Sequence, residues 1–160
     1  MKRQNKSPKG ILASMLLVLA VGGCIIFLWP SGSVRLVEDF YEYESGAEFG
    51  KSWDLLSSEM KLRFPNRGDY VQNRTHVFMQ HMEVETFQYD VGRSKKVKNW
   101  SLAKDGKVHK TAYMIPVTQV FDSRFGVFTI EQDCYVVKEK GEWRLLWDYV
   151  LNKFLSFFEV

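Results

Sequence analysis

One long, predominantly apolar run stands out in this chain, from Ile11 to Trp29, and it contains no charged side chain. A helix over these residues would be roughly 28 Å long, close to the ~30 Å hydrocarbon thickness of a bilayer. Residues 1–10 hold four basic side chains and no acidic one, a bias typical of the cytoplasmic end of a membrane segment. The pattern predicts a signal-anchor helix at 11–29 with a cytoplasmic tail at 1–10. We therefore expect a single-pass protein of the cell membrane, with the rest of the chain extracytoplasmic.

Two other ways of processing the same segment stay open, cleavage and lipidation. A cleaved signal peptide would release the domain, although no A-x-A-like cleavage site precedes Pro30. Lipid attachment at Cys24 would anchor it instead, because residues 21–24 (VGGC) resemble a bacterial lipobox. Against lipidation, the residues that follow Cys24 continue the apolar run, whereas mature lipoproteins usually turn polar there. All three routes export the domain.

Beyond a short linker at residues 30–33, apolar positions recur with helical spacing. This spacing predicts three helices: the first begins at Val34, the second carries Phe49 and Met60, and the third carries Tyr70. Ser33 and Asp69 are the expected N-caps of the first and third helices. Ser45 and Glu48 have the spacing of a capping box for the second, which is predicted to run without a break to Met60.

From residue 83 onward the pattern alternates and is rich in β-branched and aromatic residues, which predicts strands. The expected strands cover residues 83–91, 95–103, 108–121, 127–138 and 142–149. The Asp105-Gly106 pair between two of them is a hairpin signal. Pro116 cannot donate to a ladder, so it predicts an edge position or a bulge. Helices followed by antiparallel strands indicate an α+β domain over residues 34–150, with the helices on one face of a bent sheet.

The apolar tail at residues 151–160 is too short to span a membrane. We expect it to pack on the domain, with docking to a partner or to the bilayer surface as the alternative.

The net charge of +3 is distributed unevenly. The first 30 residues carry +4, and the remainder has 18 basic and 19 acidic side chains, a net charge of −1. A nucleic-acid partner is therefore excluded on electrostatic grounds. The two cysteines, Cys24 and Cys134, lie in the apolar run and in a predicted strand, so neither a disulfide framework nor a zinc site is expected. No cofactor or metal is predicted.

Few residues in the domain suggest chemistry. Glu131 and Asp133 alternate on one strand face, as a pair of catalytic carboxylates would, and with Tyr113 and Trp53 they form our candidate pocket. The competing interpretation is simple exposure for the two acids and core packing for Trp53. His76 and His81 are five residues apart, about 140° around an α-helix, so they are not expected to form a ligand pair. Cys134 is expected to be a small buried hydrophobe.

Several segments resemble the NTF2-like (cystatin-like) superfamily over residues 33–150. The matching segments are Phe40-Tyr41, residues 44–49 (ESGAEF), residues 52–57 (SWDLLS) and residues 140–148 (KGEWRLLWD). The last looks especially like the NTF2-like domain that precedes the transpeptidase domain of some penicillin-binding proteins, and like small membrane-anchored relatives. The resemblance implies a cone of helices closed on a bent sheet. No catalytic constellation of the superfamily maps onto this chain residue by residue, and transpeptidase activity is not carried over.

These observations predict a non-catalytic interaction or accessory module in the bacterial cell envelope. Its expected partners are the lipid bilayer and an envelope protein. The alternative function is a pocket that binds a small molecule, or an enzyme of the same superfamily.

Overall fold

The computed structural model describes residues 31–147. The predicted anchor at 11–29, Cys24, and the tail at 151–160 lie outside this range. The chain divides into two units, and the fold described below belongs to the second, which begins at Gly32. Between residues 31 and 147, no helix combines the length and apolar character needed to cross a membrane.

The described residues form helices first and strands afterwards. The helices are α1 (Gly32–Ser45), α2 (Phe49–Leu55), α3 (Ser58–Lys61) and α4 (Arg67–Thr75), and a π-helical turn (His76–His81) continues α4. The strands are β1 (Gln88–Val91), β2 (Lys95–Ser101), β3 (Val108–Ser123), β4 (Gly126–Glu139) and β5 (Glu142–Trp147). All paired strands are antiparallel. The predicted α+β class, with helices on an antiparallel sheet, is confirmed.

The second predicted helix is interrupted at Leu56, which is a correction to its continuous course. Leu56 adopts an extended conformation with ψ of 148° and bridges in parallel to Leu145 of β5. The backbone N–H of Ser57 donates to the Leu145 carbonyl at 2.9 Å, and the Ser57 hydroxyl caps the next turn by accepting from the Met60 N–H. Pairing with the sheet edge therefore replaces one turn of helix.

The predicted helix caps are also corrected. Ser45 donates its hydroxyl to the Glu42 carbonyl at 3.1 Å, and Glu48, the N-cap residue of α2, makes no side-chain capping bond. Asn66 caps α4, because its Oδ1 accepts from the Asp69 N–H at 3.0 Å. The helix thus begins before Asp69, and that residue lies in the first turn instead of at the cap.

The long strand β3 organises the sheet. The strand order is β1-β3-β4-β5, and β2 pairs with β3 as well. Along its outer edge β3 pairs with β2 over residues 108–114 and with β1 over residues 117–120. Pro116 lies between these two partners, opposite Asp133 of β4, and its carbonyl accepts from the Gly92 N–H at 2.8 Å. The proline therefore lies in an internal strand, at the gap between β2 and β1. No strand there needs an N–H donor from position 116, so the missing N–H costs no hydrogen bond of the sheet.

The core lies between α1 and one face of the sheet. Phe40 and Tyr41 of α1 are buried with Val117 and Phe121 of β3 and with Cys134 of β4. The pairs Val136–Val137 and Leu145–Leu146 are buried as well, although neighbours in a strand face opposite sides. At that end the sheet is covered on both faces. At the other end one face of β4 stays open.

Candidate functional site

Two of the four predicted pocket residues, Glu131 and Asp133, lie on the open face of β4. Both side chains are exposed. Their neighbours Gln132 and Cys134 point the other way and contact the Tyr41 hydroxyl of α1. The alternation of the two carboxylates is as predicted, but they face away from the helices and from the core.

The other two predicted pocket residues lie in separate aromatic clusters. The ring of Trp53 is 5.3 Å from that of Tyr70 and 6.0 Å from that of Phe64. Tyr113 meets the ring of Trp143 edge to face at 5.4 Å. The structure therefore does not bring the four residues together, and the packing interpretation of Trp53 is confirmed.

The open face of the sheet carries four exposed carboxylates, which we call the acidic sheet face: Asp90, Asp122, Glu131 and Asp133. In register, Asp90 lies opposite Thr118, which lies opposite Glu131. Two strand spacings therefore separate those carboxylates, about 10 Å. Within residues 31–147, none of the four forms an ion pair.

Exposed apolar side chains adjoin the acidic sheet face at the β3–β4 hairpin. Val127, which pairs with Asp122, is 69% exposed, and Phe125 at the tip of the hairpin is 76% exposed. Large apolar side chains are costly to leave in water. The face thus combines negative charge with a small apolar patch.

A buried ionic cluster that the sequence patterns did not predict joins three helices. The side chain of Glu44 in α1 is 0% exposed and pairs with Arg74 of α4, whose Nε donates at 2.7 Å. The Tyr70 hydroxyl donates to the other carboxylate oxygen at 2.6 Å, and the Ser52 hydroxyl of α2 donates there as well. A signal was present, because Glu44 follows Phe40 by four residues on the apolar face of α1. Every carboxylate oxygen is engaged, so this cluster stabilises the fold.

A second polar group lies inside the helix–sheet interface. The Tyr41 hydroxyl is 3.3 Å from Cys134 Sγ, 3.4 Å from Gln132 Oε1 and 3.5 Å from Gln119 Nε2. Burial raises the pKa of the Cys134 thiol to about 12, and burial followed by the effect of Cys134 raises the pKa of Tyr41 well above 10.0. A thiol that stays protonated is a poor nucleophile. The prediction of Cys134 as a small buried hydrophobe is confirmed.

The separation of about 140° predicted for His76 and His81 is wrong. Their Nε2 atoms are 2.8 Å apart, and their rings meet nearly at right angles with centroids 4.3 Å apart. The predicted angle of 140° assumed 3.6 residues per turn. In the π-helical turn, hydrogen bonds close over five residues, which brings residues five apart almost above one another.

The described part of the chain contains no cluster of three or more His, Cys, Asp or Glu that could hold a metal ion. Comparison with protein-family models gives no match, and a search of curated proteins gives none either.

Proposed function

We propose that this protein is a membrane-anchored accessory module, whose extracytoplasmic domain binds a protein of the bacterial cell envelope through the acidic sheet face. The observation that supports it most is the open end of the sheet. There, four carboxylates without ion partners among residues 31–147 adjoin the exposed side chains of Phe125 and Val127. We further propose an NTF2-like fold, a proposal that rests on the sequence resemblance and on the α+β arrangement.

The chemistry of this face defines the kind of partner. Like charges about 10 Å apart across the strands favour a partner that supplies lysine or arginine side chains. Burying Phe125 and Val127 at the hairpin adds apolar contact area, the component that usually carries affinity. The partner is therefore a protein whose contact surface is basic around an apolar patch.

Site-specific photocrosslinking in intact cells tests this surface. A photoreactive residue is placed at position 127 or 125, and the control position is Leu62, which is 85% exposed and follows α3. We expect positions 125 and 127 to crosslink the same envelope protein and position 62 to give no such product. Crosslinking from all three positions alike, or from none, would remove the acidic sheet face as the interface.

Charge reversal distinguishes a specific interface from non-specific apolar contact at the β3–β4 hairpin. We expect the double variant Glu131→Lys/Asp133→Lys to lower the crosslink yield from position 127 at least tenfold. The matched control is Glu42→Lys/Asp105→Lys, which makes the same change of charge at two exposed carboxylates away from the acidic sheet face. Like Glu131 and Asp133, neither forms an ion pair within residues 31–147. Equal loss in both variants would show that only net charge matters.

We propose that residues 11–29 remain in the mature protein as an uncleaved signal anchor. Cells labelled with radioactive palmitate are expected to show no label on this protein. The wild type and Cys24→Ala should have the same size and stay in the membrane pellet after alkaline carbonate extraction. Label that disappears in Cys24→Ala would establish lipidation instead, and a shorter product released from the membrane would establish cleavage.

A further inference from the structure

The π-helical turn sets two imidazoles against each other on the protein surface. Both His76 and His81 are exposed, with their Nε2 atoms 2.8 Å apart. The other ring nitrogen of His76, Nδ1, lies 2.6 Å from Gln80 Oε1. Because an amide oxygen only accepts, Nδ1 carries the proton, and the lone pair of His76 Nε2 is directed towards His81. A π-helical turn inside a helical segment is often found at functional sites.

We propose that His76 and His81 form a surface site for a late first-row divalent cation, which replaces the hydrogen bond between them. In the neutral pair, the Nε2–H of His81 donates a hydrogen bond to Nε2 of His76. When the cation binds, that proton moves through solvent to Nδ1 of His81, and both Nε2 lone pairs coordinate the metal. The charge of each ring is unchanged, and no redox step is involved.

The spacing of the two nitrogens selects among the metals. Metal–imidazole bonds are about 2.0–2.1 Å long, so two cis ligands at a right angle lie about 2.9 Å apart, and two tetrahedral ligands about 3.4 Å apart. From the hydrogen-bonded separation of 2.8 Å, the right-angled arrangement needs less movement of the two rings than the tetrahedral one. Cu²⁺ and Ni²⁺ adopt tetragonal or octahedral geometry, whereas Zn²⁺ prefers tetrahedral sites. We therefore expect Cu²⁺ to bind most tightly, then Ni²⁺, with Zn²⁺ weaker than Cu²⁺.

The surroundings of the pair favour a weak, exchangeable site. Gln80 orients His76 as outer partners of metal-binding histidines do. The described residues supply no third His, Cys, Asp or Glu to this pair, and we expect water to complete the coordination sphere. Protons compete for the same nitrogens, so the affinity should fall as the pH is lowered.

The test is a titration of the full-length protein in detergent with CuCl₂, using an affinity tag that is not polyhistidine. Electron paramagnetic resonance should show one Cu²⁺ per chain with two equatorial imidazole nitrogens. His76→Gln and His81→Gln should each lower the affinity at least tenfold, and Gln80→Ala should lower it by a smaller factor. MgCl₂ should not compete.

The third histidine provides the matched control. His109 Nε2 lies 3.1 Å from Glu59 Oε2 on other elements, so His109→Gln should leave the Cu²⁺ affinity unchanged. Circular dichroism confirms that each variant is folded. A Cu²⁺ signal that persists in the His76→Gln/His81→Gln double variant, or one that shows a single imidazole nitrogen, would overturn the proposal.

Discussion

Replacing Glu44 with alanine is expected to lower the free energy of unfolding by about 3–5 kcal/mol, the usual cost of breaking a buried ion pair from one side. The side chain of its partner Arg74 is only 17% exposed, so the guanidinium cannot recover its full hydration. The hydroxyls of Tyr70 and Ser52 lose their acceptor in the same step. Urea denaturation of the full-length protein in detergent, followed by tryptophan fluorescence, measures the loss.

Two further variants isolate the buried ion pair as the cause. Glu48→Ala removes an exposed carboxylate that pairs with Lys51 and should change the stability little. In Glu44→Leu/Arg74→Met, both charges are removed together, and most of the stability should return because no unpaired charge stays buried. If Glu44→Ala unfolds at the wild-type urea concentration, the cluster does not hold α1, α2 and α4 together.

The position of Glu44 could be predicted from the sequence, but its role could not. It shares a face of α1 with Phe40 and Tyr41, and helical spacing places it in the core. Its counter-ion Arg74 is thirty residues away along the chain, and no local pattern connects the two. A buried carboxylate is identified from periodicity, whereas its partner depends on how the helices pack.

The interruption at Leu56 shows where periodicity reaches its limit. Leu56 and Met60 are both fully buried, as the predicted continuous helix required. The spacing of buried residues is therefore right, although the backbone between them is not helical. The choice depends on the bond between Ser57 and Leu145 of β5, a contact that only the folded sheet provides.

The alternation of β4 was predicted correctly, but the sequence does not determine which face of the strand the helices cover. One face carries Val127 and Val137 and the other carries Phe128 and Ile130, so apolar residues occur on both. The two faces differ in the structure because α1 places Tyr41 against Cys134. Glu131 was predicted to line a pocket, but it lies on the face of the sheet that the helices leave open. It is therefore a candidate for a protein interface.

Raising the pH above about 9 is expected to destabilise the protein steeply, because three buried acids keep their protons only in the folded state. The unfolded chain loses the Cys134 proton near pH 9.0, whereas burial holds the folded-state pKa of this thiol at about 12. Burial likewise raises the pKa of Tyr41 and Tyr70 above their ordinary 10.0. In this window the folded state binds more protons than the unfolded state, so stability falls as the pH rises. Each group contributes about 1.4 kcal/mol per pH unit above its unfolded-state pKa.

Variants that remove one buried acid at a time test this assignment. Between pH 9 and 10, where the thiol dominates, Cys134→Ala should reduce the loss of unfolding free energy by about 1 kcal/mol, because the unfolded-state thiol is half ionised at pH 9.0 and largely ionised at pH 10. Tyr41→Phe should act in the same way only above about pH 10. The control Thr129→Ala, exposed and not ionisable, should keep the wild-type slope. The slope, and not the stability at neutral pH, is the relevant quantity, because each core variant also alters packing. If the unfolding free energy of Cys134→Ala falls with pH in parallel to that of the wild type, the thiol ionises as easily in the folded protein as in the unfolded chain. That result would contradict its burial between α1 and the sheet.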